Sequence, residues 1–381
     1  MNVQKICIIG DGLAGLSAAV ILSQENIKID LYTGGNFKKL KTDNRTTAVS
    51  ESSYQFIKQK FNIKKQNTFW PCQEVQLFYE DGKTINNFLN FKEKNKNFMY
   101  IFKKKEIKQK IHKQIKKKKN IELIKKSIVS IDYSDESVLV EKKKFFYDLI
   151  ILSAGSHSKL YNNITLGRSI KKNYKEIALT TIVKHNSKVN KVSQFFLKEG
   201  PLAILPFNKK AFSLVWSISS LYFNKNNKII KKILSEKIKV LLANLKIKNI
   251  GNIDSFPINL DLKTRYFKKN VLIIGDGLHA VHPMAGQGFN LVLRDIKKLS
   301  ELMCETLKLG LSLKSSFILK NFYRARKSEN IILGLGIDLT NIFFKNNKYL
   351  ALIRKTILGN INNFKFVKKV SQFISDKGIS I

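Results

Sequence analysis

A chain of 381 residues is long enough to bury a substantial core and, by length alone, to divide into about two domains. Its apolar share of 44% and charged share of 25% are those of a folded protein, which excludes bulk disorder. Lys and Arg outnumber Asp and Glu by 69 to 28, a net charge of +41. No zinc-finger or RNP pattern accompanies that charge, so specific nucleic-acid binding is not expected and the lysines read chiefly as solvated positions.

In chain order, residues 5–9 read as a short buried strand, 10–15 as a glycine-rich turn, 16–22 as a helix packed on a sheet and 27–32 as a second strand. This is the opening βαβ unit of a dinucleotide-binding fold. Ile107, Ile111 and Ile115 recur every four residues among lysines, which predicts an amphipathic helix over about 104–118 with a basic outer face. Strands are expected at 121–129, 137–142 and 148–152, the last continuously apolar like a buried parallel strand. Alternation over 178–184, 193–197 and 212–217 predicts a separate antiparallel sheet. Residues 271–274 resume the buried-strand pattern, and the chain reads as helical from about 299.

The fold class is therefore α/β: a Rossmann-like cofactor-binding domain, an inserted antiparallel β-sheet domain for the substrate, and a helical C-terminal region. The expected division gives 1–70, 98–168 and 263–330 to the cofactor domain, 71–97 and 169–262 to the substrate domain, and 331–381 to the C-terminal region. Cys7, Cys72 and Cys304 are far apart and without ligand spacing, so neither a disulfide framework nor a metal is expected. The N-terminus carries no secretory pattern, and no apolar run approaches the roughly 18 residues a spanning helix needs. The expected location is cytoplasmic, with any membrane contact peripheral, on the inner face of the cytoplasmic membrane.

Gly10, Gly12 and Gly15, with Leu13 and Ala14 between them, match G-x-G-x-x-G directly after a strand and before a helix. Such glycines allow the turn, close approach to a pyrophosphate and close helix packing, while the helix N-terminus offers free N–H groups. The acid that usually bonds the ribose about 20 residues on falls at Thr33, whose hydroxyl is a weaker partner. Asp30, three residues away along a strand, points to the opposite face.

Residues 275–290 carry the densest pattern: Gly275 and Asp276 end a buried strand, and His282, Pro283, Gly286, Gln287, Gly288 and Asn290 follow. Here the chain resembles the flavin monooxygenases of ubiquinone biosynthesis, whose signature runs His-Pro-x-Ala-Gly-Gln-Gly-x-Asn-x-Gly-x-x-Asp. Residues 282–295 match every fixed position except Val292, which replaces Gly. Residues 43–48 (Asp-Asn-Arg-Thr-Thr-Ala), 200–206 and 215–217 resemble further segments of the family.

The resemblance implies a para-hydroxybenzoate-hydroxylase-like fold, FAD as cofactor and NAD(P)H as a transient electron donor. It implies that Asp276 accepts from ribitol or ribose hydroxyls, that Gly286, Gln287 and Gly288 present N–H groups to the flavin pyrimidine, and that Arg45 lies near the flavin or the nicotinamide. Pro283 would rigidify the turn beside the ring. After the strand ending at 152 the family carries Asp-Gly; here Gly155 and Ser158 are kept, but Ala154 stands where Asp is expected, and a methyl group accepts no hydrogen bond. His279 and His282 read as parts of a structural turn rather than as ligands. Trp70, Trp216 and Phe289 suit either core packing or a substrate wall. No residue identifies itself as a base for the phenol, so the catalytic residue stays open.

The function so implied is hydroxylation of the ring of a polyprenyl phenol, with O2 and NAD(P)H, in ubiquinone biosynthesis. The alternative is a flavin-binding accessory subunit of a quinone-biosynthesis complex without turnover, suggested by Thr33, Ala154 and Val292. Within 331–374, Leu335, Leu339, Phe343, Leu350, Ile353, Ile357 and Phe364 alternate with Lys345, Lys348, Arg354, Lys355, Lys365, Lys368 and Lys369. That stripe suits core packing or peripheral contact with an anionic membrane.

Overall fold

The computed structural model describes residues 3–34, 45–61, 68–93, 95–156, 158–187, 189–243 and 245–345, together with 354, 356–358, 369, 372, 374 and 376–378. The chain opens with β1 (Gln4–Ile9), α1 (Leu13–Leu22) and β2 (Ile27–Tyr32). Helix α1 is apolar on every face, and all its residues but Ala14 are buried. A helix of that kind is stable only when covered on all sides.

Next come β3 (Thr46–Ser50), α2 (Glu51–Phe61), β4 (Trp70–Cys72), β5 (Glu74–Asp81), β6 (Thr84–Lys92), β7 (Met99–Lys103) and α3 (Lys104–Ile115). The three isoleucines of α3 are all buried, as the four-residue spacing predicts, while Lys113 is exposed and its other four lysines are half-buried. They are followed by β8 (Ile121–Ile124), β9 (Ile128–Asp132), β10 (Ser137–Val140), β11 (Lys143–Phe146), β12 (Leu149–Leu152) and α4 (Asn162–Thr165). The single strand expected over 121–129 is two strands in different sheets, broken at the polar Lys125-Lys126-Ser127.

The remainder consists of β13 (Ser169–His185), β14 (Val192–Leu197), β15 (Gly200–Asn208), β16 (Ala211–Ser219), α5 (Ser220–Asn226), α6 (Ile230–Leu241), β17 (Ile247–Ile250), β18 (Asp254–Lys263), β19 (Phe267–Lys268), β20 (Val271–Ile273), β21 (His279–Ala280), α7 (Gly288–Lys308) and α8 (Ser316–Phe344). Helix α7 starts well ahead of the expected 299. Helix α8 runs unbroken through 331, so the expected boundary there falls inside a helix whose two halves share one buried face.

A six-stranded sheet, ordered β19-β20-β12-β1-β2-β8, is parallel except for β19. The large second sheet is ordered β21-β18-β13-β16-β15-β14-β5-β6, with β17 also paired to β13. It is antiparallel except where β5 joins β14 in parallel. The largest core cluster surrounds β1, β12, β20, α1 and α7, and a second lies between the large sheet and α6. Of the residues quoted for sequence motifs, Asp43 and Asn44 lie outside the described residues, as do Leu350, Ile353, Phe364, Lys348, Lys355, Lys365 and Lys368 of the C-terminal stripe.

Candidate cofactor and substrate site

The turn between β1 and α1 is packed to the limit. A Cβ on Gly15 would stand 2.2 Å from the Gly10 carbonyl oxygen, and one on Gly10, at φ +126°, would stand 2.3 Å from that of Ser153. Helix α1 follows with Gly12 as N-cap, no side-chain cap and no acid in its first turn. Helix α7 begins in the same way after Gln287. Both helix ends open onto one cavity of ≈ 1070 Å³. Free N–H groups and the positive ends of two helix dipoles therefore meet in one space, whereas α5 and α8 are capped by Ser219 and Ser315.

Of the residues singled out in the sequence, Gly10, Gly12, Leu13, Ala14, Thr33, Arg45, Gly155, Asp276, Pro283, Gly286 and Gly288 line this cavity. Gly15, Gly275, Gln287 and Asn290 do not. Gly275 packs on Ala14. Asn290 is buried, accepting from the Ser50 N–H at 3.0 Å and donating to the Gly286 carbonyl at 3.4 Å, so it ties α7 to β3. Its expected place at the cofactor becomes a supporting one, because the helical turn aims its amide back at β3.

Thr33 lies at the end of β2, its hydroxyl 3.4 Å from the Ile124 carbonyl. Asp30 faces away, accepting from Tyr147 at 2.6 Å and pairing with Lys5 at 2.7 Å. Lys104, Lys108 and Lys126 also line the cavity. They were hidden among the many other lysines of the sequence. Ala154 lines the cavity and is exposed.

The opposite wall is the large sheet, which contributes Ala178 and Thr180 of β13, Leu205 of β15, Ser213 and Val215 of β16, and Phe256, Ile258 and Leu260 of β18. Alternation puts Trp216 on the other face, fully buried in the core under α6. Phe289 lines the cavity and packs edge-on to Phe102 at 6.2 Å, while Trp70 does not reach it. The Arg45 guanidinium stands 5.0 Å over the Phe256 ring, joining the two walls.

His279, which lines the cavity, and His282 are each bonded to a carboxylate. His279 Nε2 lies 2.6 Å from Asp295, which also accepts from Arg326 Nε at 2.7 Å and Asn330 at 3.1 Å. Burial pushes the Asp295 carboxyl up, but Arg326 and His279 outweigh it and hold it below the ordinary carboxylate value. His282 Nδ1 accepts from the Met284 N–H at 3.3 Å, which leaves Nε2 to donate to Glu176 at 3.2 Å. Glu176 also pairs with Lys345 at 2.7 Å; burial raises its carboxyl, and His282 and Lys345 outweigh that and lower it. No three His, Cys, Asp or Glu side chains among the described residues could hold a metal. These long-range pairs have no sequence signal beyond the residue types themselves.

Residues 152–310, which run from the last residue of β12 through β13 to β21 and α7, match the model of the FAD binding domain family. Over its whole length the chain is 24% identical to ubiquinone biosynthesis monooxygenase COQ6, mitochondrial, of Dictyostelium discoideum, covering 92% of that protein. The chain is similar over its whole length to an FAD-dependent monooxygenase. It is also 26% identical to 3-demethoxyubiquinol 3-hydroxylase of Escherichia coli, over 52% of this chain and 51% of that one. Its fold is that of p-nitrophenol 4-monooxygenase PnpA from Pseudomonas putida DLL-E4, with a TM-score of 0.79 at 14% identity, covering 100% and 99% of the two chains. FAD is its cofactor.

Proposed function

We propose that this monooxygenase hydroxylates the aromatic ring of a phenolic quinone precursor in ubiquinone biosynthesis, with electrons from NAD(P)H and one oxygen atom from O2. The observation that carries the reading is the cavity itself, in which two uncapped helix N-termini face a largely apolar sheet. The signature at 282–295 and the names of the relatives point the same way. The residues fit FAD, since the crowded turn at Gly10 and Gly15 leaves backbone, not side chains, facing the cavity.

In this reading the N–H groups at Gly12, Leu13 and Ala14 hold the diphosphate, and Thr33 and Asp276 receive ribose and ribitol hydroxyls. Those at Gly286 to Gly288 stabilise negative charge on the flavin pyrimidine, Pro283 stiffens that turn, and Arg45 serves the flavin or the nicotinamide. Bound FAD supplies the oxygen-activating chemistry. The chain's own residues bind and orient the ring and exclude water: Leu205, Val215 and Phe256 cover its faces, and Thr180 and Ser213 offer hydroxyls to its polar substituents.

The test is reconstitution with FAD, followed by NAD(P)H-dependent bleaching of the flavin with and without a phenol, and mass analysis of product made under labelled O2. Phenol-accelerated bleaching and one labelled oxygen per ring are expected. Protein that stays colourless in excess FAD would sink the reading. A second reading, a flavin-binding subunit without turnover, is favoured by Ala154 in the cavity wall; it predicts retained flavin that NAD(P)H does not bleach under any phenol.

A further inference from the structure

The turn between β21 and α7 brings Pro283, Gly286 and Gly288 to the cofactor cavity. Its short helical stretch, Met284–Gly286, starts at Pro283, which offers no side-chain cap. The N–H of Met284 donates instead to His282 Nδ1 at 3.3 Å. Nδ1 accepts only when it carries no hydrogen, so this turn requires the tautomer with its hydrogen on Nε2. The imidazole is buried, and the acceptor that meets Nε2 is the Glu176 carboxylate at 3.2 Å. Glu176 reaches it because β13 is bulged. The register of β13 on β18 shifts between Asn173 and Glu176, which leaves Tyr174 and Lys175 outside it, with Lys175 at φ +54°. The Asn173 side chain accepts from the Lys175 N–H at 2.8 Å and closes the bulge. A bulge re-aims the side chains around it. Here Tyr174 and Glu176 both face His282, the Tyr174 ring edge-on to the imidazole at 5.5 Å. The other oxygen of Glu176 pairs with Lys345, just past the end of α8.

We propose that Glu176, which does not itself line the cofactor cavity, is a positioning residue for the cofactor. By accepting from Nε2 it keeps His282 in the tautomer that bonds the Met284 N–H, and so holds the N–H groups of Gly286 to Gly288 toward the flavin pyrimidine. The inference rests on the function proposed above and deepens it. With the hydrogen on Nδ1 instead, two donors would face each other across 3.3 Å and the turn would have to open. Oriented donors stabilise negative charge on the ring, so their placement sets how much more tightly reduced than oxidised FAD is held. The carboxylate thus acts on the cofactor through His282 and the backbone.

The test uses the FAD-loaded full chain and two readouts: the tautomer of His282 by NMR of protein labelled with nitrogen-15 histidine, assigned through the Met284 amide, and the midpoint potential of the bound flavin. The wild type should show hydrogen on Nε2 alone. Glu176→Leu should lose that preference and weaken reduced relative to oxidised FAD about tenfold, a fall of about 30 mV for a two-electron couple. Glu176→Gln, whose amide oxygen still accepts from Nε2, should recover most of the potential. Lys345→Gln controls for a merely structural role, because it breaks the tie between β13 and the end of α8 without touching His282. It should lower the melting temperature and leave tautomer and potential as in the wild type. Hydrogen on Nδ1 in the wild type, or a potential that shifts equally in Glu176→Leu and Lys345→Gln or in neither, overturns the inference. The two proposals fail separately. If the potentials follow the expected order but no phenol is hydroxylated, the hydroxylase reading falls and the role of Glu176 stands; if phenol is hydroxylated and the potentials do not move, the reverse holds.

Discussion

Single residues around the cofactor cavity divide into those the fold requires and those only the ligand requires. Gly12 has φ −65° and no heavy atom closer than 4.0 Å to an added Cβ, yet it lines the cavity. Gly12→Ala should therefore leave the melting temperature without FAD unchanged and weaken FAD retention. Gly10→Ala and Gly15→Ala should lower that melting temperature themselves, because their Cβ atoms collide with backbone. Calorimetry on flavin-free protein, followed by FAD titration, distinguishes the two outcomes. Asp276→Ala should remove hydrogen bonds of about 1 to 3 kcal/mol, weakening FAD roughly 5- to 150-fold in a fluorescence titration. Ala154→Asp follows a different logic from the buried substitution its sequence position suggests. The side chain is exposed at the cavity wall, so the carboxylate costs little desolvation and the protein should melt as the wild type does. Any change then falls on the rate of flavin reduction by NAD(P)H, and an unchanged rate would show that the family's carboxylate has no counterpart role here.

Among the elements, α7 and α8 are joined by buried charge rather than by apolar contact alone. Asp295→Ala would strand Arg326 and His279 without their carboxylate, and a loss of about 3 to 5 kcal/mol is expected in urea unfolding. Asp295 and Glu176 are both held below their ordinary values, so each contributes stability that is full above about pH 5 and is lost as pH falls through the depressed folded value. The melting temperature should be level on the neutral side of that point and fall below it, and Glu176→Gln should make the acid fall shallower. A fall of equal steepness in the variant would remove Glu176 from the account. What could be read from the sequence follows the range of the signal. The β1-α1-β2 unit is written in contiguous apolar runs and glycines, and the isoleucines of α3 in a four-residue period. The joining of β5 to β14, the bulge in β13, and the pairs Asp295–Arg326 and Glu176–Lys345 depend on partners far along the chain, for which a single sequence carries no mark. The uncapped start of α7 was legible as glycines, but the aim of Asn290 was not.

Across the whole molecule, a net charge of +41 is combined with an apolar stripe left uncovered on α8, where Ile332, Leu339 and Ile342 are 43%, 64% and 38% exposed. No helix among the described residues is long and apolar enough to cross a membrane. We predict that the protein co-sediments with anionic vesicles at low salt, less with neutral ones, and that the difference fades as salt screens the charge. Equal recovery in the supernatant under all four conditions would remove the membrane from its biology. The order of strands in the parallel sheet has a separate consequence, for synthesis. Strand β12, buried at all four residues, lies between β1 and β20, and β20 follows it only after β13 to β18 of the large sheet have been made. At 5–20 residues per second the roughly 120 intervening residues take on the order of 6 to 24 s, during which Leu149–Leu152 is an open apolar edge. The nascent chain therefore carries this open edge before the cofactor cavity can exist, and added FAD can rescue yield only after that interval has passed.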